Sequence, residues 1–113
     1  MNFEEIKLLL TGIDDPVLKL ETLMDIGKTL PRIPDGKTGA EIKGCASRVE
    51  IYRDADGKLY GAADSAMVRG IVATLIAIKA AGADFAEFES LGLNLGAGRM
   101  NGAGAVIAYL KTF

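Results

Sequence analysis

The sequence predicts an α+β domain: two amino-terminal helices, a small antiparallel sheet, a buried central helix and further carboxy-terminal helices. Three observations carry that prediction. Apolar residues recur at helical intervals up to about residue 30, the period switches to two near Val49, and from Ala66 a long stretch is apolar on almost every side. At 113 residues, half of them hydrophobic, the chain is expected to fold as one domain over residues 1–113. A chain of this length buries about 60–70% of its unfolded surface, enough for a core without metal or disulfide staples.

Taken in order, Asn2 followed by Glu5 has capping-box spacing, and Phe3, Ile6, Leu9, Leu10 and Ile13 form the apolar stripe of a short helix ending at Gly12. Asp14 and Asp15 precede Pro16, so an acidic cap with proline at the first helical position starts a second helix. Its stripe is read as Val17, Leu20, Leu23, Met24 and Ile26, and it stops between Gly27 and Leu30. From Pro31 to Gly44, prolines, glycines and scattered charges predict an ordered connection with no long element, and a third strand in the sheet is left open without a position.

Val49 and Ile51 alternate with Arg48, Glu50 and Tyr52, the pattern of a half-buried strand. Asp54-Ala55-Asp56-Gly57 turns the chain, and Leu59, Gly61 and Ala63 return beside Val49 and Ile51, which makes a hairpin over about 48–63. Asp64 and Ser65 compete to cap the next helix, Ala66 to Ala81. Its Met67, Val68, Ile71, Val72, Leu75 and Ile78 place it at the centre of the fold. Gly82 closes it, and Asp84 caps a short turn carrying Phe85 and Phe88. A glycine-rich loop from Gly92 to Gly98 follows, and Asn101 caps a last helix ending at Leu110.

Composition excludes several functions. Thirteen basic against fifteen acidic side chains, interspersed, leave no basic stripe for nucleic acid. The start Met1-Asn2-Phe3-Glu4-Glu5 is acidic where a secretory signal is basic, and no apolar run approaches the roughly 18–20 residues of a membrane helix. A cytoplasmic location and no membrane association are therefore expected. The single Cys and the absence of His exclude a disulfide framework and zinc sites of His and Cys, so no metal is expected. The string from Gly96 to Gly104 invites a phosphate-loop reading but fails the dinucleotide fingerprint, because Gly102 stands four residues after Gly98 and no strand leads into it. Asp54 and Asp56 lack the remaining ligands of a calcium loop and fit turn chemistry better.

Lys43-Gly44-Cys45-Ala46-Ser47-Arg48 is the segment with chemical possibilities. A lone intracellular cysteine is commonly an inert small hydrophobe. Cys45, however, sits between a glycine and a polar strand start, and Lys43, Arg48 and Arg99 favour its thiolate if they lie near it. If it is reactive, no His is present for acyl transfer and no second Cys for disulfide chemistry. A single thiolate is still able to take the outer sulfur from another protein's persulfide.

Those residues resemble the SufE family of sulfur acceptors, partners of cysteine desulfurases in iron-sulfur cluster assembly. The likeness runs through Leu20-Glu21-Thr22-Leu23, Gly27-Lys28-Thr29-Leu30-Pro31-Arg32-Ile33-Pro34, Lys43-Gly44-Cys45-Ala46-Ser47 and Asp64-Ser65-Ala66-Met67-Val68-Arg69-Gly70, then Leu95, Arg99 and Gly102, in family order. It implies that Cys45 carries the persulfide, that Gly44 and Ser47 shape its loop, and that Asp64 and Arg99 support the site and the encounter with the desulfurase. It also implies a sulfur-transfer co-catalyst with no turnover of its own and no cofactor, since PLP belongs to the desulfurase, with an iron-sulfur scaffold as a further partner. Cys45 is expected to be partly buried at the tip of a mobile loop. The chain departs from the family at Ala40 and Glu41, where members carry Asn and Arg, and at Ala46, where members carry Gln. Those departures motivate an alternative, a non-catalytic desulfurase-binding or regulatory module of the same fold.

Overall fold

The computed structural model describes residues 1–44 and 47–113. Its elements, in order, are α1 (Phe3–Thr11), α2 (Pro16–Gly27), β1 (Ala40–Glu41), β2 (Val49–Arg53), β3 (Leu59–Ala63), α3 (Ala66–Ala80), α4 (Ala86–Glu89) and α5 (Ala97–Leu110). The α+β class and the placement of helices around a small sheet follow the sequence reading. The connection from Pro31 to Gly44 does supply a third strand, β1, two residues long.

Local chemistry starts the helices. The Asn2 side chain accepts from the Glu5 N–H at 2.9 Å while Glu5 Oε1 accepts from the Asn2 N–H at 3.1 Å, a complete capping box. Asp15 Oδ1 accepts from the Val17 and Leu18 N–H groups, with Pro16 in the first turn. Of the two cap candidates before α3, Ser65 takes the role, accepting from the Val68 N–H at 3.4 Å. The end of α3 is a Schellman motif around Gly82, whose φ is +67°. The Gly82 N–H donates to the Lys79 carbonyl and the Ala83 N–H to that of Ile78.

The sheet order is β1-β2-β3, antiparallel throughout. In the hairpin Val49 pairs with Ala63, Ile51 with Gly61 and Arg53 with Leu59, the register the alternation predicts. At the turn Asp54 Oδ1 accepts from the N–H groups of Asp56 and Lys58, and Oδ2 accepts from the Tyr60 hydroxyl at 3.0 Å. Desolvation raises the Asp54 pKa, but these hydrogen bonds and the nearby Lys58 outweigh it and hold the carboxyl below the usual range. Asp54 is thus occupied by turn bonding.

Helix α3 is the centre of the molecule. Residues Ile71 to Ile78 are all buried, and the helix packs against α2, β3, α5, α1 and α4. Its one buried polar side chain, Thr74, donates to the Gly70 carbonyl at 2.8 Å. Gly27 and Gly70 let α2 and α3 meet backbone to backbone, since a Cβ on Gly70 would stand 2.2 Å from the Leu23 carbonyl oxygen.

Three details differ from the sequence reading. Leu9 and Val17, assigned to apolar stripes, are 43% and 65% exposed; α1 and α2 bury narrower faces, centred on Phe3, Ile6 and Leu10 and on Leu23, Ile26 and Gly27. Val68 is only partly buried, since it borders the cavity described below. The last helix starts at Ala97 rather than after Asn101: Gly96, at φ +82°, makes the turn, and the Met100 N–H donates to the Gly96 carbonyl. Glycine propensity argues against helix there, but burial of Ala103, Val106 and Leu110 on one face overrides it.

Candidate functional site

Cys45 and Ala46 lie outside the described residues, and the expectations for them, including a partly buried thiol on a mobile loop, lie there too. The flanking residues are described. Gly44 has φ +91°, the left-handed region that glycine enters without a Cβ clash, and a Cβ built on it would lie 3.4 Å from the Ala105 Cβ of α5. The segment therefore leaves β1 against α5. It returns at Ser47 into β2.

Ser47 borders a cavity of about 220 Å³, walled also by Val49 of β2, by Ser65, Val68, Ile71 and Val72 from the start of α3, and by Gly98, Arg99, Gly102, Ala103 and Val106 from α5. Its lining is mainly apolar, with two hydroxyls and one guanidinium. Such a wall strengthens any charge interaction near it, because less water is available to screen it.

The fold thus brings Ser47 and Arg99, far apart in sequence, to one cavity. Arg99 is the third residue of α5, with an Nη1–H to the Leu95 carbonyl at 3.5 Å. A cation in the first helical turn works against the helix dipole, so Arg99 and the N-terminus add their positive potentials at this mouth. Asp64 is not on the cavity wall. It lines a neighbouring groove with Arg48, Glu50, Ala62 and Ala63, and its N–H donates to the Arg48 carbonyl at 3.4 Å. Wider grooves of about 480 and 700 Å³ lie elsewhere and include none of the described residues assigned to the site.

Sequence reasoning missed the α3 wall, Ser65, Val68 and Ile71, and the Arg48 cluster. Arg48 Nη2 meets Glu50 Oε1 at 2.6 Å. The hydrogen bond that Arg48 donates to Glu50 and the Glu50 charge, then the charge of Glu41, and more weakly that of Asp64, hold the guanidinium above its ordinary range against desolvation. The i,i+2 spacing of Arg48 and Glu50 on one face of a strand was the available signal. Lys43 approaches Glu41 only to 4.0 Å, with its side chain 87% exposed.

The described residues thus form a small α+β domain with a mainly apolar cavity that carries one guanidinium, Arg99, and includes Ser47, two residues after the chain's only cysteine. The family model described as "SufE: Fe-S metabolism associated domain" matches residues 4–113. The chain belongs to the SufE family and, through it, to Fe-S metabolism. A search of curated proteins found no match. Among the described residues no helix is long and apolar enough to cross a membrane.

Proposed function

We propose that the protein accepts sulfur from a PLP-dependent cysteine desulfurase onto Cys45 and relays it for iron-sulfur cluster assembly, acting in the cytoplasm as a co-catalyst without independent turnover. The observation that carries this reading is the cavity shared by Arg99 and Ser47, two residues after Cys45 in sequence, in a chain matched over 4–113 by the SufE family model. In the transfer step the Cys45 thiolate attacks the outer sulfur of the donor's persulfide. The donor S–S bond breaks, a new S–S bond forms on Cys45, and the donor cysteine leaves as a thiolate. The proton of the donor persulfide stays on the transferred sulfur until it equilibrates with solvent. One sulfur moves with no net oxidation and no metal.

In this reading Arg99 and the α5 N-terminus favour first the thiolate and then the persulfide anion. Gly44 permits the turn into the segment, Ser47 offers a hydroxyl at the cavity wall, and Asp64 fastens the end of β3 to Arg48. Relay then requires an iron-sulfur scaffold or a further thiol. The experiment is intact mass spectrometry after incubation with a cysteine desulfurase and free cysteine. A gain of one sulfur that disappears in Cys45→Ser supports the proposal; a Cys45→Ser variant that stimulates sulfide release as well as wild type overturns it. Persistent binding to the desulfurase with no sulfur ever on Cys45 would instead establish the regulatory alternative, which the departures at Ala40, Glu41 and Ala46 favour.

A further inference from the structure

The β2–β3 hairpin and the second half of α3 line a groove of about 480 Å³, which shares no residue with the 220 Å³ cavity. Its size is that of a small-molecule site. The buried part of its lining is apolar: Leu59 from the hairpin and Ala73, Ile76 and Ala77 from α3. Spacings of three and four residues put those α3 side chains on one face of the helix. Phe113, packed edge-on against Tyr109 at 5.1 Å between ring centroids, adds an aromatic face. Three cations, Arg53, Lys58 and Lys79, also line the groove, and no acidic side chain does.

Two of those cations are engaged. Lys79 Nζ donates to the Phe113 carbonyl oxygen at 3.1 Å, and in the last turn of α3 its charge offsets the partial negative charge of that helix end. Lys58 Nζ lies 5.2 Å from the centroid of the Tyr60 ring, and its charge helps to hold down the pKa of Asp54, whose oxygens are bonded to the hairpin turn and to the Tyr60 hydroxyl. Arg53 differs. Among the described residues its side chain forms no hydrogen bond and no ion pair, and its Cζ stands 4.9 Å from the centroid of the Phe113 ring. A Cβ on Gly57, another lining residue, would lie 3.8 Å from Arg53 Nη2, which places the guanidinium at the hairpin rim.

A guanidinium with unused donors beside an apolar, acid-free trough matches a planar oxyanion head on an apolar body. The rigid fork of Arg53 suits a carboxylate, and the trough removes a chain from water. We propose that this groove binds a small carboxylate with a short aliphatic body, its head on Arg53 and its chain along Leu59, Ile76 and Ala77. The site is separate from the proposed sulfur chemistry, so neither stands or falls with the other.

Octanoate is the probe, with acetate as the head without the chain and 1-octanol as the chain without the head. Binding is followed by NMR chemical-shift titration of the full chain for wild type, Arg53→Gln and Ala80→Glu, at low and high salt. Octanoate is expected to shift the signals of Leu59, Ala73, Ile76 and Ala77 saturably. Acetate should bind at least about tenfold more weakly, and 1-octanol about two- to fivefold more weakly at low salt. Arg53→Gln should abolish the preference for octanoate over 1-octanol while leaving 1-octanol binding unchanged, and high salt should narrow that preference in wild type. Ala80 is an exposed lining position, so Ala80→Glu should weaken octanoate and not 1-octanol. Equal affinity of wild type for octanoate and 1-octanol overturns the proposal, as does a preference that survives Arg53→Gln. Shifts confined to another surface, or no saturable shift at all, overturn it as well.

Discussion

Replacing Gly70 by Ala tests the central packing argument. The new Cβ would stand 2.2 Å from the Leu23 carbonyl oxygen, 2.8 Å from its carbon and 2.9 Å from Leu23 Cγ. Two of those three atoms are backbone, so no rotamer change clears the way. Helix α2 must retreat by about 1 Å, and a gap of that size forfeits about a quarter to a half of each facing dispersion contact. The side chains that lose partners are the most buried on α2: Leu23 is 0% and Ile26 2% exposed. Overpacking costs about 1–3 kcal/mol in well-packed cores, and with backbone as the obstacle the upper part of that range applies. Helix propensity returns up to about 1 kcal/mol. The net expectation is a loss of about 2 kcal/mol, seen as a fall in Tm of about 10 °C. Urea denaturation followed by circular dichroism gives the number, with Gly104→Ala as the control. Gly104 is exposed on α5 with nothing within 4 Å of its Cβ position, so there the propensity gain stands alone and the variant should be more stable by about 0.5–1 kcal/mol. Equal stability of Gly70→Ala and wild type would refute the close-approach account of the α2–α3 contact.

Two further outcomes follow from the electrostatics. The depressed Asp54 carboxyl contributes stability that is fully present above its unfolded value and is lost as pH falls through its folded one; Tyr60→Phe removes one of its donors, so an NMR titration should find the Asp54 pKa raised toward the ordinary range. Tyr60 itself is held above its usual value, first by its hydrogen bond to Asp54, so its contribution fades only as pH rises through the raised value. Arg99→Gln should leave the melting curve near wild type, because Arg99 is exposed, while slowing sulfur uptake from a desulfurase by about two- to tenfold at low salt. Unchanged uptake would remove Arg99 from the site.

Much of the fold around the candidate site was legible because its signals are local. Gly44 with positive φ and the hairpin register follow from residue types that admit few conformations, and the motif order from Leu20 to Gly102 pointed to the family that the match over 4–113 shows. Asn101 was misread as a helix cap because local glycine propensity and long-range burial disagreed, and burial won. The exposure of Val17 and Leu9 was hidden for a similar reason: periodicity reports which residues share a face, but not how much of that face another element covers.

By itself, then, the sequence determined the caps of the first two helices, the change of period, the hairpin turn and the count of one thiol without histidine, since each depends on neighbours within a few residues. Only the tertiary structure decided that Arg99 shares a cavity with Ser47, that Asp64 stands in the next groove, and that Glu41 faces Glu50, which Arg48 holds in an ion pair. Those neighbours are brought together by burying α3 under the sheet and α5, and the free energy of that burial is a sum over the whole core that no short stretch of the chain contains.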